Sequence, residues 1–153
     1  MFNKRTTGLI LLAIVLMAGC FLFKKNDQRK QPEVTASSNS RSATIDELTK
    51  ENVVVSFVKT NGKLPVYYIT KNEARDKGWD AARGNLCDVL PGRAIGGDAF
   101  FNREGSLPKS ANRRWFEADL NYNCGRRNAD RLLFSNDGLV YVTYDHYKTF
   151  KQR

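Results

Sequence analysis

The sequence predicts an α+β fold in which N-terminal helices pack on one face of a twisted antiparallel β-sheet. Three observations lead to this prediction. The chain has 153 residues and is 41% hydrophobic, which suits one packed domain. Helical periodicity runs through residues 44–90, and strand-like alternation follows in residues 114–143. Helices followed by strands are typical of a domain that covers one face of an antiparallel sheet and leaves the other face open.

Three helices are predicted in the first half of this domain. Thr44 or Ser42 is the N-cap of the first helix, and apolar residues keep helical spacing as far as Asn61-Gly62, a favourable C-terminal pair. Thr70 begins the second helix, and Glu73 completes a capping box with it. The three predicted helices are residues 42–61, 70–78 and 85–90.

Two-residue periodicity predicts strands in the second half. The predicted strands are residues 114–120, 131–134 and 139–143. In the first of them one face is apolar and the other carries Glu117 and Asp119. The other two flank Asn136-Asp137-Gly138, a strong hairpin turn. We expect the helices to cover the apolar face, so that the candidate active site lies on the open face of the sheet.

The composition excludes some classes of site. One histidine and three cysteines are too few for a structural zinc site with four cysteines or with two cysteines and two histidines. The chain has no GxxxxGK[ST] phosphate-binding loop. Its net charge is +9, and residues 1–50 hold 8 basic and 4 acidic residues, which leaves about +5 for the remainder. This balance favours polyanionic partners such as nucleic acid or an anionic membrane.

Residues 1–23 have the composition of an export signal. An apolar or small run over residues 8–23 lies between basic pairs, and its 16 residues fall short of the about 20 that span a membrane. Met17-Ala18-Gly19-Cys20 is similar to the bacterial lipoprotein cleavage motif, in which the cysteine receives the lipid. The sequence leaves three alternatives open: lipidation at Cys20, simple secretion, and a retained anchor. We expect an extracellular protein or one on the outer face of the cell envelope, with membrane contact only through this segment.

Residues 24–43 are polar and are predicted to be a disordered linker to a folded domain of residues 44–153. Export exposes cysteines to oxidising conditions. If Cys20 is lipidated or removed, Cys87 and Cys124 are left as a pair. A disulfide between them closes a loop of 38 residues, which is worth about 4 kcal/mol. Two free buried thiols are the alternative.

Few side chains in the predicted sheet carry chemistry. Glu117 lies on the predicted open face, and His146 is the single imidazole of the chain. A basic cluster lies between them, at Arg126, Arg127 and Arg131. Singly, each has an ordinary interpretation as a solvated charge or an inert surface side chain. Together, a base, an acid and several cations suit phosphodiester chemistry, and a basic binding module is the alternative.

Short strings in the last two thirds of the chain are similar to one known family. They keep its order and spacing from Leu64-Pro65 onward, and the most specific are Phe101-Asn102-Arg103-Glu104-Gly105, Glu117-Ala118-Asp119 and Asp145-His146-Tyr147. On these strings, the stretch from about Lys50 to Phe150 resembles the guanyl-specific microbial ribonucleases, the family of barnase and binase. The resemblance implies an endoribonuclease that cleaves single-stranded RNA after guanosine and needs neither a metal nor a cofactor.

The resemblance also implies catalytic roles. Glu117 is expected to be the general base that removes the ribose 2′-hydroxyl proton, and His146 the general acid that protonates the departing 5′-oxygen. The first product is a 2′,3′-cyclic phosphate, which water then opens to the 3′-phosphate. The cations implied at the scissile phosphate are Lys71, Arg127 and Arg131.

Supporting and base-binding residues follow from the same resemblance. Asp119 is expected to form ion pairs that orient two of the arginines, and Tyr147 to line the phosphate and ribose side of the cleft. The implied guanine-binding loop consists of Phe100, Phe101, Asn102, Arg103 and Glu104. Its backbone amides face O6 of guanine, and the Glu104 carboxylate faces N1 and N2. The family usually has a small polar residue where Phe101 stands, a departure that bears on stacking and loop conformation.

The remaining implications concern the cysteines and the partners. In the family fold the positions of Cys87 and Cys124 lie close together, so a disulfide is predicted there, although the relatives typically lack these cysteines. The implied partners are the RNA substrate and an acidic, barstar-like inhibitor attracted by the basic cleft, and we expect a monomer. The alternative function is a non-catalytic basic lipoprotein that binds RNA or membrane and retains the fold. Intact Glu117 and His146 argue against it.

Overall fold

The computed structural model describes residues 43–153. The predicted export signal, Cys20 and the linker as far as residue 42 lie outside the described residues. Within residues 43–153, no helix combines the length and the apolar character that a membrane span requires.

The helices are α1 (Ile45–Leu48), α2 (Glu51–Asn61), α3 (Lys71–Asp76) and α4 (Leu86–Val89). The prediction of one continuous first helix is wrong, because the helix breaks between α1 and α2. Thr49 lies at the break, and its Oγ1 accepts a hydrogen bond from the N–H of Tyr122 (2.9 Å). Its carbonyl accepts another from the N–H of Asn121 (2.8 Å). The chain therefore leaves the helical path to pair with a segment that is distant in sequence.

The predicted C-terminus of the first helix and the predicted N-terminus of the second are confirmed. Gly62 ends α2 with a φ of 65°, and its N–H donates to the carbonyl of Val58 (2.8 Å). Thr70 and Glu73 form the predicted capping box of α3, in which the Thr70 N–H donates to Glu73 Oε2 (3.1 Å) and the Glu73 N–H donates to Thr70 Oγ1 (3.4 Å). The short helix α4 matches the third predicted helix.

The strands are β1 (Tyr68–Ile69), β2 (Ala94–Phe100), β3 (Trp115–Asp119), β4 (Arg131–Ser135), β5 (Val140–Thr143) and β6 (Lys151–Gln152). They form one sheet in chain order, antiparallel except for the parallel pair β1–β2. The predicted α+β fold is confirmed, as are the three predicted strands and their hairpin. Strands β1, β2 and β6 were not predicted from the sequence.

A bulge in β2 shapes the middle of the sheet. The register with β3 shifts between Gly96 and Asp98, so that Asp98 lies opposite Glu117. Gly96 is required at this point, because a Cβ there would lie 2.7 Å from the Cβ of Ala118 and 2.7 Å from Cδ1 of Tyr68. The strand thereby approaches its neighbours closely enough to bring Asp98 beside the start of α3.

The two faces of the sheet are both partly covered. On one face, Val54 and Val58 of α2 pack against buried residues of β3, β4 and β5. On the other, Leu107, Trp115 and Leu133 form a smaller cluster beneath aromatic side chains from β2, β5 and the C-terminal segment. The face that carries the candidate active site therefore forms a cleft, and this apolar cluster lines its floor.

Candidate active site

Glu117 lies in the middle of β3, on the face opposite α2, and is only 5% exposed. Lys71 Nζ contacts its Oε1, and the Tyr147 hydroxyl donates to its Oε2 at 2.5 Å. Burial raises the pKa of Glu117, but the hydrogen bonds from Lys71 and Tyr147 outweigh burial and hold the pKa below its ordinary value. The carboxylate is therefore ionised at neutral pH, as a proton acceptor must be.

Lys71 reaches this carboxylate because it is the first residue of α3. Its main-chain N–H donates to Asp98 Oδ2 (3.0 Å), and Thr70 caps the same turn. The β2 bulge that brings Asp98 to this point thus fixes where the lysine side chain starts. Asp98 was not predictable from the sequence, because its contact with Lys71 depends on the pairing of β2 with two other strands.

Asp119 holds two guanidinium groups behind Glu117. The carboxylate is fully buried, and it accepts from Arg127 Nε at 2.7 Å and from Arg127 Nη2 at 2.5 Å. Arg131 Nε lies 3.1 Å from its Oδ1. Burial lowers the pKa of Arg127, but the Asp119 carboxylate outweighs it and raises the pKa overall. Arg127 therefore keeps its charge, and two hydrogen bonds to a buried anion set its direction. Arg131 forms an ion pair with the same carboxylate and donates its Nη1 hydrogen bond to the carbonyl of Asp130 (2.7 Å).

His146 and Tyr147 lie in the turn after β5, and both have left-handed backbone conformations, with φ of 56° and 72°. Such conformations are costly for residues with side chains and are common at functional sites. His146 is exposed, and its ring centroid lies 4.9 Å from that of Tyr147. Burial and the adjacent Glu117 raise the pKa of Tyr147, so the phenol stays neutral and donates to the carboxylate.

Asp145 organises this turn, a role that sequence analysis missed. Its Oδ1 accepts from the hydroxyl of Thr143 (2.8 Å) and from the N–H groups of Lys148 (3.0 Å) and Thr149 (2.9 Å). Hydrogen bonds led by that from the Thr149 hydroxyl lower the pKa of Asp145. Since the carboxylate remains charged, it holds the left-handed residues beside it in place.

One cavity of about 480 Å³ brings the catalytic candidates and the guanine-loop candidates together. The predicted site residues that line it are Lys71, Phe100, Phe101, Asn102, Arg103, Glu104, Glu117, His146 and Tyr147. Phe100 stacks on Tyr147 with ring centroids 5.3 Å apart, which joins the loop to the catalytic turn. We call this cavity the central cleft.

The candidate arginines open onto a neighbouring cavity of about 710 Å³, which we call the arginine cavity. Arg127 and Arg131 line it together with Arg126, and His146 lines both this cavity and the central cleft. His146 therefore borders both cavities, where its imidazole can act on a group that spans them.

The loop after β2 keeps its shape through one side chain. Asn102 has a φ of 44°, its amide nitrogen donates to the carbonyl of Leu107 (2.8 Å), and its amide oxygen accepts from the Leu107 N–H (3.0 Å). Among the hydrogen bonds of residues 43–153, none uses the backbone N–H of Asn102, Arg103 or Glu104 as its donor. Those groups are free for a ligand.

The predicted disulfide between Cys87 and Cys124 is present. It joins α4 to the loop between β3 and β4, the loop that carries Arg127. Gly84 packs against the same loop, and a Cβ at this glycine would lie 2.6 Å from the backbone nitrogen of Arg126. The covalent bond and this close contact together fix the base of the arginine loop.

A cleft that sets a carboxylate and an imidazole beside several fixed cations has the groups that transfer of a phosphodiester requires, which makes the chain a candidate phosphoryl-transfer enzyme. Residues 50–153 match a family model described as ribonuclease. The chain belongs to the ribonuclease family, the resemblance found in its sequence is confirmed, and its substrate class is RNA.

Individual relatives agree with the family match. The chain is 42% identical over 154 residues to a ribonuclease of Bacillus intermedius, a match that covers 94% of this chain and 93% of the relative. A ribonuclease of Bacillus pumilus gives the same identity and coverage. A ribonuclease of Heyndrickxia coagulans is 58% identical over 97 residues, which are 63% of this chain and 89% of the relative.

Proposed function

We propose that this ribonuclease cleaves single-stranded RNA after guanosine by metal-independent transesterification. The main support for the proposal is that Glu117 and His146 line the same cavity, the central cleft, as the loop around Glu104, whose backbone N–H groups are free to bind a ligand. A guanine at the loop and a phosphate at the imidazole are compatible with a single nucleotide that lies along this cleft.

In the first step, Glu117 accepts the proton of the ribose 2′-hydroxyl as the 2′-oxygen attacks phosphorus. The bond from phosphorus to the 5′-oxygen breaks, and His146 donates a proton to that oxygen. The product is a 2′,3′-cyclic phosphate. In the second step the roles reverse: His146 takes a proton from water, the ring opens, and Glu117 returns a proton to the 2′-oxygen.

Both oxygens of Glu117 are occupied before substrate binds, by Lys71 and by Tyr147. For the carboxylate to accept the 2′-hydroxyl proton, one of these two hydrogen bonds must break. Lys71 is the better candidate, because its side chain is 28% exposed and its charge gains a new partner in the scissile phosphate. When substrate binds, movement of the Lys71 side chain from Glu117 to the phosphate frees the base and neutralises the phosphate.

Charge that develops on the phosphate oxygens is met by Arg127 and Arg131. Both guanidinium groups are already paired with the buried Asp119, and Arg131 is also held by the carbonyl of Asp130, so they need little reorganisation as the reaction proceeds. Lys71 supplies a third cation at the same phosphate. These three side chains provide the positive field, and the proposal includes no metal and no cofactor.

Guanine selection is assigned to the loop of residues 100–104. Guanine presents an O6 acceptor beside N1–H and N2–H donors, which match free backbone N–H groups and the Glu104 carboxylate. Adenine presents a donor where the loop offers donors, so it would leave polar groups unpaired, and such mismatches give large discrimination. Asn102 stabilises the loop through its side chain and takes part in guanine binding through its backbone N–H.

The proposal is tested by turnover of the dinucleoside phosphate GpU in EDTA. Glu117→Gln is expected to lower kcat for cyclic phosphate formation by about 100-fold or more, and His146→Ala by a similar factor. The matched control is Asp88→Asn, which removes an exposed carboxylate on α4 and is expected to keep full activity. Activity that both catalytic variants retain, or that EDTA abolishes in the parent protein, would exclude these roles.

Export and partners complete the proposal. The apolar N-terminal segment supports secretion or anchoring at the outer face of the cell envelope, and the folded domain is proposed to act there as a monomer. An active ribonuclease endangers the cell that makes it, which supports an acidic inhibitor of the barstar type as the partner for the basic cleft.

A further inference from the structure

A third cavity, of about 620 Å³, lies on the far side of the loop that closes the central cleft. It shares the segment from Ala99 to Arg103 with the cleft, so this segment is a common wall. Its other residues come from the stretch before β3 and from β3 itself. We call it the outer cavity.

The outer cavity is basic. Its charged lining residues are all cations: Arg103, Lys109, Arg113 and Arg114. Arg113 is neutralised by Asp137 at 2.7 Å. The five ion pairs within residues 43–153 involve none of the other three cations. A concave surface with three uncompensated positive charges favours a polyanion.

The outer cavity also offers a surface for stacking. Phe101 stands in the common wall and is 76% exposed, the largest exposure of an aromatic side chain within the described residues. The Arg103 guanidinium lies 5.7 Å from the centroid of its ring. An exposed aromatic ring beside an arginine, at the edge of a positive groove, is the combination with which proteins hold unpaired bases of single-stranded nucleic acid.

The order of the three cavities gives a strand direction. The central cleft shares His146 with the arginine cavity at one end and Phe101 with the outer cavity at the other. Under the proposed function, on which this step rests, the guanosine has its base at Glu104 and its 3′-phosphate at His146. Its 5′ side is then directed away from His146, toward Phe101.

We infer that the outer cavity is a binding subsite for the nucleotide on the 5′ side of the guanosine. The base of that nucleotide stacks on Phe101, and its phosphate contacts Arg114 and Lys109. The subsite takes any base, because stacking and phosphate contacts do not depend on base identity. It makes the enzyme faster on guanosines within a strand than on guanosines at a 5′ end.

The test compares kcat/KM for GpU, UpUpGpU and GpUpUpU in the parent protein and in variants. The parent is expected to cleave UpUpGpU about tenfold faster than GpU, a factor within the range of one stacked base. Arg114→Ala and Lys109→Ala are expected to reduce that advantage to about threefold, with GpU cleavage unchanged. The matched control is Lys63→Ala, which removes one exposed charge outside the three cavities and is expected to keep the tenfold advantage.

A second measurement uses an uncleavable UpUpGpU with 2′-deoxyguanosine. Arg114→Ala is expected to lower the slope of log Kd against log salt concentration by about 0.7, as loss of one phosphate contact on a single strand requires. The inference is overturned if GpU and UpUpGpU are cleaved equally, or if the variants affect GpUpUpU instead. Failure of GpU cleavage in the parent would contradict the proposed function, whereas an intact GpU activity without a 5′ effect would contradict the subsite alone.

Discussion

Replacing both Cys87 and Cys124 with alanine removes the covalent link between α4 and the arginine loop. The two cysteines are 37 positions apart, so the bond closes a loop of 38 residues. For a loop of this length the chain-entropy model gives a stabilisation of about 3.9 kcal/mol at 25 °C. Little packing is lost in the exchange, because Cys124 is exposed and Cys87 is only half-buried.

The corresponding shift in Tm follows from the size of the described domain. With an unfolding entropy of about 2.1 cal/mol/K per residue, residues 43–153 give about 4 °C per kcal/mol. The double variant is therefore expected to unfold about 15 to 18 °C below the oxidised protein. Cys124 has a φ of 47°, and alanine keeps the same cost of that conformation, so this position adds no separate effect.

The assay is thermal unfolding followed by circular dichroism, with and without a thiol reductant. The reduced parent protein is expected to match the double variant, and reductant is expected to leave the double variant unchanged. A double variant that unfolds within 3 °C of the oxidised parent, against an expected shift of about 15 °C or more, would refute the loop-entropy reasoning.

Three further variants test other contacts. Tyr147→Phe removes a hydrogen bond that holds down the pKa of Glu117, so the acidic limb of kcat/KM should move to higher pH; a limb that stays in place would show that the phenol does not act on this carboxylate. Asp119→Asn leaves buried guanidinium charge uncompensated and should cost about 3 to 5 kcal/mol in urea unfolding; a cost below about 1 kcal/mol would contradict the buried ion pair. Gly84→Ala places a Cβ 2.6 Å from the arginine loop and should lower the free energy of unfolding by about 2 to 5 kcal/mol. Gly92→Ala, at a similar φ of +73° with nothing within 4 Å, is its control and should lose only about 1 to 2 kcal/mol; equal losses would exclude the steric contact.

Features that depend on neighbouring residues were predictable from the sequence. The Thr70–Glu73 capping box, the glycine after α2 and the hairpin at Asn136-Asp137-Gly138 lie where the sequence predicts them, because each is decided within a few residues. The apolar alternation of β3 likewise predicted which of its faces packs against α2.

Features that depend on distant pairing were not predictable. β2 contains two glycines and shows no clean alternation, and its bulge is set by contacts with β1 and β3. The break at Thr49 arises from hydrogen bonds to Asn121 and Tyr122, more than 70 positions away. Alternation along β3 suggested an exposed Asp119, but this residue is fully buried. Its carboxylate pairs with two arginines from later segments, and its carbonyl accepts a hydrogen bond from an earlier tyrosine.

The candidate site was predicted partly from periodicity and partly from resemblance to a family. Periodicity set Glu117 on the correct face, whereas the roles of Glu117, His146 and the arginines came from resemblance to a family. Neither source indicated Asp98, whose carboxylate fixes the first turn of α3, or Asp145, which holds the His146 turn. Their contacts depend on a bulge and on left-handed backbone conformations, which leave no periodic pattern in a sequence.

The most direct test of the proposed mechanism and specificity is cleavage, in excess EDTA, of an oligoribonucleotide that contains a single guanosine. We expect one cut, on the 3′ side of the guanosine, with a 2′,3′-cyclic phosphate as the first product and the 3′-phosphate appearing later. Glu104→Gln should reduce the preference for guanosine over adenosine in the same assay. Cleavage at other nucleotides, a first product without the cyclic phosphate, or no cleavage until a metal is added would contradict the proposal.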